Sequence, residues 1–190
     1  MILFTEQTIF WLSVAMLAYI YVGYPLLVYI VGRISPSDVV RGHIEPRVTV
    51  LITAFNEEAS IQKKLENTLE IKYPAAKLEI MVASDGSTDK TDEIVRSFAD
   101  KGVRLFRQEG RVGKTETQNN AVNAATGEII LFSDATTTYR ENIFDTILPI
   151  FADETVGCVA GRLVYVNDDN TSVGHGAKSY WSYETFLKTA

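Results

Sequence analysis

The sequence has few of the residues that build cysteine-based or histidine-based sites. Its 190 residues include one cysteine and two histidines. A single cysteine, Cys158, excludes an internal disulfide and a cysteine-ligated zinc site, and its apolar neighbours predict a buried structural thiol. His43 and His175 lie in polar surroundings without the spacing of metal ligands, so both are expected at the surface.

An excess of positive charge is also missing. The formal net charge is −6, whereas a domain that binds nucleic acid presents a basic face. The composition therefore predicts no nucleic-acid partner. The length is sufficient for about one domain.

No charged residue occurs in Gln7–Gly32. About 20 consecutive apolar residues cross a bilayer, so this run predicts one transmembrane helix, with residues 1–33 as a membrane anchor. Glu6 precedes the run, whereas a secretory signal has a basic start and a shorter apolar core. Pro25 is expected to kink the helix. The alternative is a buried helix of a soluble domain.

The flanking charges predict an orientation for this helix. Arg33, Arg41 and Arg47 follow the apolar run, and no lysine or arginine precedes it. Positive charge stays in the cytoplasm, so the N-terminus is expected outside and the remaining chain inside, at a membrane such as the bacterial inner membrane. Residues 34–46 contain proline, serine and glycine without periodicity and predict a linker.

From residue 47 onward, apolar strand-like runs alternate with helical runs. The predicted strands are Arg47–Thr53, Leu78–Ser84, Val103–Phe106, Glu128–Ser133 and Val156–Val166. The predicted helices are Glu57–Ile71, Thr91–Asp100, Lys114–Gly127 (with Gly127 as its C-terminal cap) and Asn142–Phe151. Glu57 and Glu58 are expected in the first helical turn. Near-continuous apolar strands joined by helices indicate an α/β fold, a mostly parallel sheet with helices on both faces.

The stretch RLFRQEGRVGKTETQNNAV is close to a phosphate-binding P-loop. Such a loop needs a glycine, four residues and then Gly-Lys-Ser/Thr. Gly113, Lys114 and Thr115 match the end, but Gln108 occupies the position of the first glycine and Gly110 comes two residues too late. An ordinary turn, a P-loop and another kind of nucleotide contact all remain open from this stretch alone.

Polar and charged residues follow each of the first four predicted strands. The segments at these strand ends are TAFNEE, SDGSTDKT, RQEGRVGKT and SDATT. Ligands bind beyond the carboxyl ends of parallel strands, so these segments are expected along one edge of the sheet. Turn residues are common there in any case, but basic groups beside acidic ones fit a nucleoside diphosphate with a cation.

In this order and spacing, TAFNEE, SDGSTDKT, GKTETQN and FSDATT resemble the donor-binding half of the family 2 glycosyltransferases. The resemblance covers Arg47–Tyr183, and the motifs are specific as a set. It implies a GT-A (Rossmann-like) fold and transfer of a sugar from a UDP- or GDP-sugar to an acceptor hydroxyl. Many family members are membrane enzymes with a cytosolic active site, and the acceptor here is an unknown glycan or lipid.

The family's nucleoside-binding residues match several positions of this sequence. The resemblance places Thr53, Phe55 and Glu57 at the nucleoside and Asp85 at the base. Ser84 replaces the first of two adjacent aspartates that the family more often has, and Phe55 stands where tyrosine is commoner. Asp89, which matches a further family aspartate, is interpreted first as a helix cap.

The stretch around Lys114 then has a clearer interpretation. In the family this loop approaches the base or the diphosphate, so Lys114 is expected to contact the donor. The helix that follows contains Gln118 and Asn119.

FSDATT matches the family's Asp-x-Asp element, with Asp134 in the first position and Thr136 in place of the second aspartate. A hard divalent ion can use one carboxylate together with waters and substrate phosphates, and a threonine hydroxyl can coordinate it. The expected cofactor is Mg²⁺ or Mn²⁺, bound more weakly than by two aspartates.

The resemblance also implies a carboxylate base that acts on the acceptor, and no good candidate is found. The later acidic residues are Glu141, Asp145, Asp153, Glu154, Asp168, Asp169 and Glu184. The domain, residues 47–190, is expected to be incomplete, because a full domain of this type runs on by roughly 100 residues. Such a chain would bind donor and fail to turn over alone. The alternatives are a membrane-tethered binding module or pseudoenzyme and a P-loop NTPase.

Overall fold

The structure, a computed structural model, describes residues 2–34 and 39–161. The N-terminal segment lies in one compact unit, and Val40–Val159 form a second unit, which contains the whole sheet.

The N-terminal segment is helical throughout its described length. It consists of α1 (Ile2–Ala18), a π-helical turn (Tyr19–Gly23) and α2 (Tyr24–Ile34). Thr5–Ile34 has a mean hydropathy of 2.0 and is, among the described residues, the one helix long and apolar enough to cross a membrane. Its side chains are almost all exposed in this unit, unlike those of a core helix.

The π-helical turn lies immediately before Pro25. A proline ring clashes with the carbonyl four residues earlier and offers no N–H to it. The turn widens at this point, so that the Tyr24 N–H donates to the Tyr19 carbonyl, five residues back. The sequence predicted a kink at Pro25, and the structure shows one wider turn at this place in a continuous helix.

The second unit contains a parallel four-stranded sheet with the order β3-β2-β1-β4. The strands are β1 (Val48–Ala54), β2 (Leu78–Ser84), β3 (Val103–Arg107) and β4 (Ile129–Asp134). The helices are α3 (Ile61–Leu69), α4 (Thr91–Ser97), α5 (Lys114–Ala124) and α6 (Ile143–Ile147). Short 3₁₀ turns occur at Ala75–Lys77, Ala99–Lys101 and Leu148–Ala152.

Helices cover both faces of the sheet, as predicted. Alternate residues of a strand point to opposite faces, so Val50 and Ile52 face the larger core with α3, α4 and α6, whereas Leu51 faces the smaller core with α5. Every residue of β1 is buried, because this strand is central and covered on both sides. The α/β fold class is confirmed.

Part of the predicted linker packs on this unit. The Gly42 N–H donates to the Pro149 carbonyl at 3.1 Å, and Lys77 pairs with Glu45 at 2.7 Å. Residues 39–47 have no regular secondary structure, yet these contacts hold residues 40–46 against the sheet unit.

Two predicted helix ends were wrong. Glu57 and Glu58 precede the helix, because α3 begins only at Ile61. Gly127 is not a helix cap, because α5 ends at Ala124. Instead Gly127 lies against β1, where an added Cβ would come within 2.4 Å of the Thr49 nitrogen. A glycine is required here because two backbone segments approach closely. In the sequence, such a glycine after a helix looks the same as a helix cap.

Other differences concern the end of the described chain. The helix predicted over Asn142–Phe151 changes from α to 3₁₀ at Leu148, next to Pro149. The described part of the strand predicted over Val156–Val166 is not a strand, and the rest lies outside the described residues. Cys158 is exposed, so the expected buried thiol was wrong. His43 is exposed as predicted, and His175 lies outside the described residues.

Candidate functional site

The order of the strands reverses at β1. The chain runs outward from β1 through β2 to β3 and returns to form β4 on the other side of β1. Ligands of open α/β sheets bind at the carboxyl ends of the strands where the order reverses. Thr53 of β1 and Asp134 of β4 are paired in register at this point.

A cleft of about 290 Å³ lies at this edge. Its lining residues are Thr53, Ala54, Phe55, Glu57, Asp85, Lys114, Asp134, Ala135 and Thr136. All seven residues predicted from the sequence as donor or metal contacts are therefore brought together, from the ends of β1, β2 and β4 and the start of α5.

Asp85 is buried at the back of the cleft, with 3% of its surface exposed. Its carboxylate accepts hydrogen bonds from the Val112 N–H (2.9 Å), the Gly113 N–H (3.0 Å) and the Thr117 hydroxyl (2.8 Å). Burial raises the pKa of Asp85, but these hydrogen bonds outweigh burial and leave the pKa below its ordinary value. Asp85 is thus a charged group that fixes the loop ahead of α5.

This loop is the stretch that resembles a P-loop. A P-loop aims its backbone N–H groups at a phosphate, whereas here the N–H groups of Val112 and Gly113 bind a carboxylate of the same chain. Gly86, at a φ of +67°, packs so closely on the loop that a Cβ would lie 2.4 Å from the Gly110 carbonyl oxygen. The geometry therefore disfavours a P-loop phosphate site.

Lys114, the first residue of α5, reaches across the cleft to Asp134. The ammonium nitrogen lies 2.5 Å from the Asp134 carboxylate, and both side chains are more than half exposed. An exposed pair of this kind contributes little to stability. The Asp134 carboxylate is therefore available for exchange between the lysine and another cation.

The residues around Asp134 fit a divalent cation that is shared with a substrate. Within residues 2–34 and 39–161, no group of three or more His, Cys, Asp or Glu side chains could hold a metal by itself. Asp134 offers a carboxylate for such a cation, and Thr136 adds an exposed hydroxyl. Mg²⁺ sites of this kind use one or two carboxylates and complete the shell with waters and phosphates. The lysine ammonium shows that a cation is accommodated on the carboxylate.

The other predicted residues line the same cleft. The Gln118 side chain of α5 donates to the Thr53 hydroxyl at 2.9 Å. The Arg111 guanidinium lies 4.2 Å from the centre of the Phe55 ring, in a cation–π contact. The Glu57 N–H donates to the Thr91 hydroxyl, and Glu57 is one of the residues that line the cleft. Asn119 is exposed and does not line the cleft.

Asp89 has the structural role that was expected first. Its carboxylate accepts the N–H of Thr91, the first residue of α4, at 2.9 Å, and the Glu58 N–H at 3.0 Å. It does not line the cleft.

The described acidic residues after Asp134 do not line the cleft either. Glu141 pairs with Lys72, and Asp153 accepts N–H groups of Val40 and Thr155. Asp168, Asp169 and Glu184 lie outside the described residues.

Two residues near the site were missed by sequence reasoning. Arg111 covers Phe55, and no sequence pattern distinguishes it from a surface arginine. Lys64 is buried under the segment after β4. A signal for Lys64 did exist, because it lies three residues after Ile61 and one before Leu65, on the apolar face of α3.

Comparison with known proteins identifies related sequences. The family model that matches is "Glycosyl transferase family 2", over residues 49–189. The probable glycosyltransferase YdaM of Bacillus subtilis (strain 168) is 32% identical over 132 residues, which are 66% of this chain and 31% of that protein. The beta-monoglucosyldiacylglycerol synthase of Nostoc sp. (strain PCC 7120) is 33% identical over 127 residues, 64% of this chain and 27% of that protein. The chain spans less than a third of either relative.

Solved structures with bound donors are also similar. The mannosyltransferase PcManGT from Pyrobaculum calidifontis, in complex with GDP-Man and Mn²⁺, has a TM-score of 0.67 and 34% identity, covering 78% of this chain and 46% of that one. TarS 1–349 of S. aureus, in complex with UDP-GlcNAc, has a TM-score of 0.52 and 26% identity, covering 57% of this chain and 31% of that one.

Proposed function

Because the chain belongs to glycosyl transferase family 2, we propose that its cleft binds the nucleoside diphosphate of a sugar donor for transfer of the sugar to an acceptor hydroxyl. One observation carries the proposal most strongly: seven residues chosen from four separate sequence segments line a single cleft at the reversal point of the sheet. The bound GDP-Man of PcManGT and UDP-GlcNAc of TarS support the same class of ligand.

The nucleoside would contact Thr53, Phe55, Glu57 and Asp85, which line the cleft. The Phe55 ring offers an apolar face for a base, which Arg111 covers in this structure. Among the described residues, Oδ2 of the buried Asp85 carboxylate accepts one hydrogen bond, from the Gly113 N–H, and a carboxylate oxygen can accept a second. A base N–H is a suitable donor for that position.

The diphosphate would lie beside Lys114, Asp134 and Thr136. Mg²⁺ or Mn²⁺ fits Asp134 and Thr136 and would supply positive charge to the diphosphate, as the Mn²⁺ of PcManGT suggests. Lys114 would exchange its contact with Asp134 for a phosphate oxygen. During transfer, the bond between the anomeric carbon and the donor phosphate oxygen breaks and a bond to the acceptor oxygen forms. The acceptor hydroxyl releases its proton to a general base or to solvent, and Lys114 offsets the charge that develops on the leaving diphosphate.

The site is proposed to act at the cytosolic face of a membrane. The apolar helix Thr5–Ile34 is long enough to cross a bilayer, and the arginines that follow it favour a cytoplasmic domain. In this proposal, residues 1–33 form the anchor, residues 34–46 a connecting segment and residues 47–190 the glycosyltransferase domain, with an acceptor glycan or lipid as the second substrate.

A thermal-shift measurement tests donor binding. The full chain in nanodiscs should melt at a higher temperature with UDP-GlcNAc or GDP-Man in the presence of Mn²⁺, and the shift should be lost in Asp85→Ala and in Asp134→Ala. Glu141→Ala, an acidic residue outside the cleft, should keep the shift. The absence of any shift for wild type with either nucleotide class would refute the proposal.

A second candidate is donor binding without turnover. One reason for this candidate is Thr136, which replaces a carboxylate at the proposed metal site. The other is that the described cleft residues include no acidic side chain that could act as a base, beyond Glu57, Asp85 and Asp134, which are already assigned to the donor or the cation. A multiple-turnover transfer assay with the donor that gives the larger shift separates the two candidates.

A further inference from the structure

Lys64 is the largest fully buried side chain among the described residues, with 1% of its surface exposed. Lysine is almost never fully buried unless it is paired. Within the described part of the chain, however, its ammonium forms no ion pair shorter than 4.0 Å with a carboxylate. Burying an ammonium without such a partner is costly, so a role for its charge must be sought in what it contacts.

The Lys64 ammonium contacts the segment that follows β4, here called the β4 loop, residues 134–139. It donates to the Thr137 carbonyl at 2.7 Å and lies 4.1 Å from the centre of the Tyr139 ring. The Thr137 N–H in turn donates to the Asp134 carbonyl at 3.2 Å. The lysine thus holds the turn that presents Asp134 and Thr136.

Asn67 contacts the same loop from the next turn of α3. Its side chain donates to the Tyr139 carbonyl at 2.9 Å and accepts the Tyr139 N–H at 2.8 Å. Residues three apart lie on one helix face, so Lys64 and Asn67 together form what we call the α3 clamp. The clamp fixes both ends of residues 137–139, immediately after the proposed metal contacts.

The electrostatics agree with this geometry. Burial lowers the pKa of Lys64 to about 8, while the negative charge of Asp134 opposes that change. The ammonium therefore stays charged at neutral pH and lies near enough to Asp134 to interact with it.

We propose that Lys64 and Asn67 are positioning residues, which set the β4 loop so that Asp134 and Thr136 can bind the cation and diphosphate of the donor. The proposal rests on the function proposed above. It extends the site to a helix that does not line the cleft.

Lys64→Met tests the charge at nearly constant volume. Replacing a buried ion by an apolar group of similar size is often neutral or stabilising for the fold, so this variant should remain folded. Its affinity for UDP or GDP with Mn²⁺ should fall at least about tenfold, because mutating residues that orient metal ligands weakens metal binding by a factor of this size. Titration calorimetry on the full chain in nanodiscs measures this affinity. The affinity for the same nucleotide without Mn²⁺ should change much less.

Lys63→Met is the matched control, because it removes the same charge from an exposed position of the same helix. It should bind as wild type does. Asn67→Ala breaks the other half of the clamp and should lose Mn²⁺-dependent affinity in the same way, so the test stands even if Lys64→Met does not fold. A folded Lys64→Met or Asn67→Ala with wild-type Mn²⁺-dependent affinity would overturn the proposal.

Hydrogen exchange provides a readout without any ligand. In Asn67→Ala and Lys64→Met, the amides of Thr137 and Tyr139 should exchange faster, while amides of β1 stay protected. Unchanged exchange at both amides would overturn the clamp. If wild type bound neither UDP nor GDP, the proposed function would fail, and the exchange result would still decide whether the clamp exists.

Discussion

Asp85 and Asp134 are two carboxylates of one cleft with opposite surroundings. Asp85 is buried and accepts hydrogen bonds from two N–H groups of the loop ahead of α5 and from the Thr117 hydroxyl of α5, whereas Asp134 is half-exposed and pairs with one lysine. The first is therefore fixed and the second is free to exchange its partner. This difference gives each residue its own prediction.

Asp85→Asn should destabilise the domain by about 2 kcal/mol, because hydrogen bonds to a charged acceptor are the stronger kind. The pKa of Asp85 is lower in the folded protein than in the unfolded chain. Its contribution is therefore fully present above the ordinary aspartate pKa of about 3.9 and is lost as pH falls through the lower folded pKa. Urea unfolding, followed by circular dichroism, should show a free energy of unfolding that is much lower in Asp85→Asn than in wild type at pH 6. The difference between the two proteins should be smaller at pH 3.

Asp100→Asn, at an exposed position in the turn before β3, is the control for that experiment and should unfold as wild type does. A deficit in Asp85→Asn that is equally large at pH 3 would show that charge is not what stabilises the loop.

Lys114→Met should weaken the binding of the donor and should not weaken the binding of the cation alone. Without the lysine, Asp134 is free, so the affinity for Mn²⁺ alone should stay equal or rise by a few fold, since an exposed pair is worth less than about 1 kcal/mol. The affinity for UDP or GDP with Mn²⁺ should fall about tenfold, because a charged contact to phosphate is lost. Both affinities can be measured by electron paramagnetic resonance, which detects the Mn²⁺ that remains free in solution. Lys90→Met, an exposed lysine away from the cleft, should change neither, and a loss of affinity for Mn²⁺ alone in Lys114→Met would contradict the exchange.

At the level of the elements, the alternation of strands and helices was predictable and the ends of the elements were not. The strands were found because a parallel sheet covered on both faces needs continuous apolar runs, as in VTVLITA of β1. Gly127 was misinterpreted because a glycine after a helix is typical of a cap, and only the structure shows that β1 passes within contact distance.

The candidate site was also predictable only in part. The strand-end segments predicted which residues share an edge, because strand ends of a parallel sheet coincide. The sequence could not predict that Lys114 pairs with Asp134, because they lie 20 residues apart and meet only across the cleft. The α3 clamp was not predicted, because lysine is almost never fully buried and the apolar face of α3 is recognised by residues such as Ile61 and Leu65.

Gly127→Ala tests the close approach of α5's exit to β1. The new Cβ would meet backbone at 2.4 Å, and also the Thr49 hydroxyl at 2.7 Å, so β1 or the connection must shift. Overpacking of this kind costs about 1–3 kcal/mol, which should appear as a lower melting temperature. Gly157→Ala is the control, because nothing lies within 4 Å of its added Cβ. An unchanged melting temperature in Gly127→Ala would contradict this prediction, because it would show that the backbone near Thr49 moves away from the new Cβ at little cost.

At the scale of the whole molecule, an apolar helix and a domain of glycosyl transferase family 2 share one chain, which spans less than a third of the two curated relatives described above. The sequence predicted the helix from the absence of charge, since length and hydropathy are enough for that inference. The side of the membrane that the domain faces is our proposal, which is based on the arginines after the helix.

Cys158 makes that orientation measurable. It is the single cysteine of the sequence and is exposed on the domain. A membrane-impermeant maleimide should label it in inverted membrane vesicles and not in intact cells. Cys158→Ser should abolish the labelling, which identifies the reacting group. Labelling in intact cells would place the domain outside and contradict the proposed cytosolic face.

The central claim is that Asp134 would hold the cation that accompanies the diphosphate of a sugar nucleotide in the cleft. Electron–nuclear double resonance of bound Mn²⁺ tests it directly, with UDP or GDP and with protein whose aspartate carboxylates contain ¹³C. The account predicts hyperfine coupling of Mn²⁺ to both ³¹P and aspartate ¹³C, with the ¹³C coupling lost in Asp134→Asn. Coupling to ³¹P without any coupling to aspartate, or ¹³C coupling that survives in Asp134→Asn, would contradict it.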